Sequence, residues 1–469
     1  MHSWADSSSQ FCKNMSNIDQ LRNKIDEITI QMLKLLKERT EAAKQIGELK
    51  KSSGLSVHDE KREEQLRLEV SQICKEIGLD ESIGKKFLNF LLNESIKVQA
   101  GAKQTHLTIF LKAKTLESQG KKIIHMEVGE PDFMPSPIIK SALSEAYDKG
   151  LVRYGPALGM PKLREALAQH CTKKFGATTR PENILVSPGG RFSVFLAIST
   201  LLNPGDEIII IEPAWPAYAD CAANAGVKVR AISTTLENNW NPSISEIEQT
   251  INSNTKMIVL NYPNNPTGKV LSPKLQDQII EIAKRHDLYV LSDEIYSEYA
   301  FSEWKSVLAS NYPKSIITQS FSKSHAMTGL RIGYTITDPK IIEKMVKLQA
   351  LCITNVAEPI QYAALKALEA DTTQNTTSVK SKINLLVDEA KKIGLEFAAP
   401  DGAMYLFAKV NKPGFDGLEF SNRLLDYGVA IAPGDGFGNY KGFVRISACQ
   451  DEDSLKKGMM ILDEVLKGS

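Results

Sequence analysis

Between Asn17 and Lys51 apolar residues recur at Ile18, Leu21, Ile25, Ile28, Met32, Leu35 and Leu36, then Ala43, Ile46 and Leu49, with no proline among them. Steps of three and four predict one amphipathic helix, about 50 Å long at about 1.5 Å per residue. Such a helix outruns the width of a small domain, so a partner helix is needed to cover its stripe. After the break "KKSSGLSVHDE" two more helical patterns follow, over Asp59–Ile77 and Asp80–Gln99, with "GLD" between them. One very long and two shorter helices predict an all-α bundle intertwined between two chains.

Beyond "AGAKQ" the period changes. Apolar runs such as "KIIHMEV", "EIIIIEP", "KMIVLNYP" and "LYVLSDE" alternate with helical stretches such as Lys162–Lys174 and Pro273–His286. Short apolar runs bounded by Gly, Pro and Asp, with helices between, predict parallel strands buried on both faces of an α/β sheet. The expected plan is a disordered tail over 1–15, a helical domain over 16–101 and an α/β unit over 102–469.

Composition narrows the classes of function. At 469 residues the chain exceeds what one core supports. A formal net charge of +1 gives no support to a nucleic-acid or anionic-membrane partner. The six cysteines stand singly, which suits a reducing compartment better than a disulfide framework. No metal-ligand spacing joins the seven histidines. The opening residues lack a signal-peptide pattern, and no apolar run approaches the roughly 18 residues of a membrane span. The expectation is a soluble, cytoplasmic protein with no metal.

One lysine stands out. In "SFSKSHAMTGLRIGY", Lys323 lies between Ser322 and Ser324, with Arg331 eight positions on. A lysine can form a Schiff base with an aldehyde cofactor when its neutral form is accessible. For pyridoxal phosphate the site also needs a carboxylate for the ring nitrogen, donors for the phenolic oxygen and a phosphate cup of amides, hydroxyls and cations. Asp293 ends the strand-like "LYVLSD", where open α/β sheets bind ligands, and Tyr296 follows. Asn265 lies in the turn "NYPNNPTG", and "SPGGRFS" places Gly189, Gly190 and Arg191 at a helix start. Singly, an Asn-Pro-Thr-Gly is a turn, Trp215 a core residue and Arg445 a surface cation.

Together these stretches, with "GEPDF" (129–133), "YGPALGMPKLREAL" (154–167), "EPAWPAY" (212–218), "SDEIY" (292–296) and "VRIS" (444–447), resemble the fold-type I, class I aminotransferases of the aspartate/aromatic kind, in order from about residue 105 to the end. The resemblance implies a large domain over about 150–395 and a small α+β domain from 102–149 plus 396–469. It implies pyridoxal 5′-phosphate on Lys323, which also moves the proton at the substrate α-carbon. Asp293 would pair with the ring nitrogen, Tyr296 and Asn265 with the phenolic oxygen, and Trp215 would stack on the ring. Gly190, Arg191, Ser320 and Arg331 would take the phosphate, with Tyr154 from the other subunit. Arg445, Asn265 and the Gly129 backbone would clamp the substrate α-carboxylate.

The front segment carries 15 Lys and Arg against 15 Asp and Glu over residues 17–99, unlike a basic DNA-reading module. Arg39 and Lys50 are nearly in phase on one helix, Asp59, Arg62 and Glu63 share a face, and Ser95 and Gln99 are one turn apart. Cations converging on one cavity suit a small dianion. "LRNKIDEITIQMLKLLKERTEAAKQIGELK", continued through "VHDEKRE" and "NESIKVQ", resembles the all-helical chorismate mutases. By that resemblance Arg22 of the partner chain, Arg39, Arg62 and Ser95 hold the substrate carboxylates. Lys50 and Gln99 donate to the ether oxygen, and Glu63 and Asp59 take the hydroxyl.

The combined expectation is a bifunctional homodimer of aromatic amino-acid synthesis acting on small molecules: chorismate, an amino acid and a 2-oxo acid. Two alternatives stand beside it. One is a general aspartate aminotransferase with a passenger mutase; the other is a non-catalytic, metabolite-sensing front domain.

Overall fold

The computed structural model describes residues 4–52, 60–100 and 106–468. The chain divides between Lys103 and Gln104 into two compact units.

The front unit holds α1 (Trp4–Ser52), α2 (Glu60–Ile77) and α3 (Glu81–Ala100). Helix α1 begins at Trp4, so the tail expected over 1–15 is mostly helix. The reason is local: Trp4–Ser52 contains no proline, and its only glycine is Gly47. Ala43, Cys74 and Leu88 are buried within the unit, but Leu21, Ile25, Leu35 and Leu49 of α1 are each more than 60% exposed. The stripe is therefore largely uncovered by the unit's own helices. Among the described residues, no helix is long and apolar enough to cross a membrane.

The rear unit opens with α4 (His106–Ser118), β1 (Ile124–His125), α5 (Pro137–Asp148) and α6 (Pro161–Phe175). Strands and helices then alternate through β2 (Ile184–Ser187), α7 (Gly190–Leu201), β3 (Glu207–Glu212), α8 (Ala217–Asn224), β4 (Lys228–Ser233) and α9 (Ile244–Thr250). They continue through β5 (Thr255–Asn261), α10 (Pro273–Arg285), β6 (Tyr289–Asp293), β7 (Ser315–Ser320) and β8 (Gly333–Ile336). After α11 (Pro339–Ile353), α12 (Glu358–Ala367) and α13 (Thr373–Lys392) come β9 (Tyr405–Lys409), α14 (Gly417–Asp426), β10 (Val429–Ala430), β11 (Ala432–Pro433), β12 (Phe443–Ser447) and α15 (Glu452–Lys467).

Seven strands form one sheet in the order β2-β8-β7-β6-β5-β3-β4. All neighbours are parallel except β8, which is antiparallel to both β2 and β7. The short connection from Ser320 to Gly333 returns the chain beside the strand it left, as only an antiparallel pair allows; Lys323 rides on it. Ile184, Ile209, Ile258 and Val290 are fully buried under helices. A second core gathers Met126, Leu406, Val444 and Leu455 around the sheet β11-β12-β9.

Two helices exchange the domains expected for them. Ile139 and Ala142 of α5 pack into the large core with Ala363, Ala364 and Ala367 of α12, so residues 137–148 leave the small domain. Ile383, Leu386 and Ala390 of α13 pack with β9, β12 and α15, so residues 373–392 join it.

Candidate active sites

The carboxyl ends of β3, β5, β6 and β7 converge with the start of α7 on a cavity of about 280 Å³. Asp293 ends β6, Ser320 ends β7, Trp215 follows β3 and Asn265 follows β5. The cavity is also lined by Tyr296, Lys323 and Arg331, by Gly190 and Arg191 of α7, and by Gly129 and Arg445. Tyr154 does not line it; its side chain is exposed.

Asp293 is buried, and its Oδ2 accepts from the Tyr218 hydroxyl at 2.7 Å while Oδ1 has no partner. Burial pushes its carboxyl up to about 6, against the Tyr218 hydrogen bond. Lys323 retains some exposed surface, yet its amine lies deep enough that desolvation takes it down to about 8. Nζ donates to Gly129 O, and Tyr299 Oη donates to Lys323 O at 2.9 Å. Both groups are thus poised within reach of neutral pH by the same dry surroundings.

Arg445 is 1% exposed and flanked by the rings of Tyr405 at 4.5 Å and Phe437 at 4.9 Å. Its Nη1 donates to Asn265 Oδ1 at 2.9 Å, Nη2 donates to Glu127 O, and Nε has no partner. The fork is held before any ligand arrives. Gly129 lies so close to Tyr405 that a Cβ there would overlap its hydroxyl. Tyr296 and Tyr405 join hydroxyls at 2.6 Å.

At the opposite end Gly189 takes φ 87°, a left-handed conformation suited to glycine, and caps α7 beside Arg331. The first amides of a helix have no intrahelical acceptor. Burial lowers the Arg331 pKa, and the neighbouring Arg191 guanidinium lowers it further. Arg191 lies over the Trp215 ring at 4.7 Å, and Trp215 meets Tyr218 edge-on. Two guanidiniums beside a helix start give that end of the cavity a positive charge suited to an anion.

In the front unit Arg39 Nη1 donates to Ser95 Oγ and, at 2.8 Å, to Leu91 O, linking α1 to α3. Burial lowers the Arg39 pKa. Lys50 is half-buried on the same helix. On α2, Glu63 lies 3.6 Å from Arg67 and Arg62 lies 3.7 Å from Glu69. Arg22 is exposed, 17 residues from Arg39, and pairs with Asp19 at 3.2 Å. The side chains of Asp59 and Gln99 lie outside the described residues.

Residues 121–460 match the family described as aminotransferase class I and II. The chain belongs to this family. Residues 21–100 match chorismate mutase type II, so a mutase domain precedes the aminotransferase. The chain is 35% identical to an aspartate aminotransferase of Thermotoga maritima over 76% of its own length and 94% of the relative's. It is 31% identical to an aspartate/prephenate aminotransferase of Thermus thermophilus, over 79% and 98%. A crystal structure of a Thermotoga maritima aspartate aminotransferase superposes with a TM-score of 0.74 at 33% identity, covering 77% of this chain and 96% of that one.

The aminotransferase depends on pyridoxal phosphate, and the cavity's residues fit that group. The unpartnered Asp293 Oδ1 is an acceptor without a donor, Lys323 offers a desolvated amine, and Arg191 and Arg331 await an anion. Sequence reasoning passed over Tyr218, Ser322 and Tyr405. Tyr218 closes the motif "EPAWPAY" and was open to discovery; Tyr405 reads as an ordinary inward strand position.

Proposed function

We propose that this chain is a bifunctional homodimer that converts chorismate to prephenate and aminates an aromatic-pathway 2-oxo acid: prephenate, phenylpyruvate or 4-hydroxyphenylpyruvate. The observation carrying this reading is the joining of the two domains in one chain. The Thermus thermophilus relative, named for prephenate as well as aspartate, supports it. The uncovered stripe on α1 and the exposed Tyr154 support a dimer in which each protomer completes the other's sites. Free cysteines at 74, 171 and 449, all buried, support a cytoplasmic setting.

Pyridoxal phosphate supplies, when bound, an electron sink for negative charge at the substrate α-carbon. Lys323 then carries the α-proton on and off, a task suited to an amine desolvated toward neutrality. Asp293, whose Oδ1 has no partner, would keep the ring nitrogen protonated. Tyr296 and Asn265 would hold the phenolic oxygen, Trp215 would back the ring, and Gly190, Arg191, Ser320 and Arg331 would take the phosphate, with Tyr154 of the other copy. Arg445 receives the α-carboxylate in a bidentate fork beside the Gly129 backbone.

In the mutase, Arg39, Ser95, Arg62 and the other copy's Arg22 compact the dianion, while Lys50 and Gln99 stabilise charge on the ether oxygen and Glu63 and Asp59 orient the hydroxyl.

The test supplies purified protein with chorismate plus aspartate or glutamate and identifies the amino product. Arogenate establishes amination of prephenate. Phenylalanine or tyrosine, formed only when the corresponding keto acid is added, places amination later. No aromatic amino product from any keto acid defeats the proposal in favour of a general aspartate aminotransferase.

A further inference from the structure

In the motif Gly129–Phe133 the chemistry above uses only Gly129, yet Asp132 holds an ion pair with a buried lysine. Lys382, 7% exposed, places Nζ 2.6 Å from both carboxylate oxygens of Asp132. Lys382 belongs to α13, whose later turns are fixed in the small-domain core by Ile383, Leu386 and Ala390. Two turns earlier on that helix, Asn375 Nδ2 donates to Ser324 O at 2.9 Å, beside Lys323. One helix therefore grips both the segment bearing Gly129 and the segment bearing Lys323. The two segments also meet directly, through Lys323 Nζ on Gly129 O and through Thr328 Oγ1 on Glu130 Oε1 at 2.5 Å.

We propose that Lys382 is a positioning residue for transamination: through Asp132 it fixes the Gly129 wall against Lys323, and so sets where the substrate's α-carboxylate lies relative to the amine. The proposal rests on the reading of Lys323 and Arg445 given above. A helix is a stiff spacer, and Asn375 and Lys382 are held about 10 Å apart along it at about 1.5 Å per residue. Stability alone does not account for burying Lys382, because an apolar side chain of similar volume commonly serves such a site as well as a lysine whose partner is partly solvated. What the pair adds is a defined location for a wall that is otherwise loop. A floating wall weakens ground-state capture of the carboxylate more than it slows proton transfer, which defines the signature.

The test uses the full-length, cofactor-loaded protein and whichever donor, aspartate or glutamate, the wild type accepts. Lys382→Met is expected to raise donor KM by about one to two orders of magnitude, with a much smaller change in kcat. The pH midpoint of the bound cofactor's absorbance also moves, because the Gly129 wall beside position 323 is displaced. Lys382→Arg, which keeps the fork, restores both. Should Lys382→Met fail to fold, the double variant Asp132→Asn/Lys382→Met leaves no unpaired charge and is expected to show the same KM rise. An unchanged KM and midpoint per active site, with only a lowered melting temperature, overturn the proposal. Lys323→Ala separates the two ideas: if the wild-type absorbance band survives that change, the reading of the site itself fails.

Discussion

Asp293→Asn, in protein stripped of cofactor, removes a charge that the fold resists. The Asp293 carboxyl is held at about 6 instead of its ordinary 3.8, chiefly by burial. At about 1.4 kcal/mol per tenfold change in proton affinity, ionising it in place costs about 3 kcal/mol. The sign follows from proton occupancy. Below pH 3.8 the acid is neutral in folded and unfolded chains alike, and the charge costs nothing; the folded state loses that relative advantage as pH rises through about 6. Asparagine keeps an oxygen for the Tyr218 hydroxyl but gives up a charge-assisted bond, which returns roughly 1 kcal/mol. Urea unfolding should therefore find the cofactor-free variant about 2 kcal/mol more stable than wild type near pH 8, and no more stable near pH 4. With cofactor bound the advantage should disappear, and turnover should fall by about two to three orders of magnitude as preorganised charge is lost. Equal stabilisation at both pH values, or none at pH 8, would refute the claim that a desolvated carboxylate is kept ready for a cation.

Lys323→Ala should release the cofactor on gel filtration and lower transamination by about four orders of magnitude. In the wild type, cofactor uptake by stripped protein should accelerate as pH rises through about 8, where burial places the amine's deprotonation. Arg445→Lys retains charge but not the fork, and should cost about 10- to 100-fold in kcat/KM for every amino and keto substrate; an effect confined to one substrate would mean that Arg445 reads a side chain. Lys50→Ala should lower the mutase rate by about two to three orders of magnitude, and an unchanged rate would favour a sensing domain. Because position 99 carries an amide, mutase activity should persist from about pH 5 to 8; a steep fall there would contradict the role given to Gln99.

Asp293, Asn265 and Lys323 were legible because each follows an apolar run and opens a turn, where strand periodicity stops and chemistry begins. The order of strands and helices was legible for the same reason. The direction of β8 was not, since a four-residue run carries no sign of which neighbour it joins. The exchange of α5 and α13 between domains escaped because an amphipathic stripe announces that a core exists, not which one. Glu127 and Gly129 touch their partners through backbone carbonyls, which no side-chain pattern reports. In the front unit the side-chain phase of Arg39 was readable and its bond to Ser95 follows from it.

The closeness of Arg191 and Arg331 at the glycine-capped start of α7 also bears on handling. Two neighbouring cations, the first of which lowers the proton affinity of the second, gain from any tetrahedral oxyanion of the right size. Stripped protein in phosphate or sulfate buffer should thus be sturdier than in chloride, and slower to take up its cofactor, because the buffer already occupies the seat.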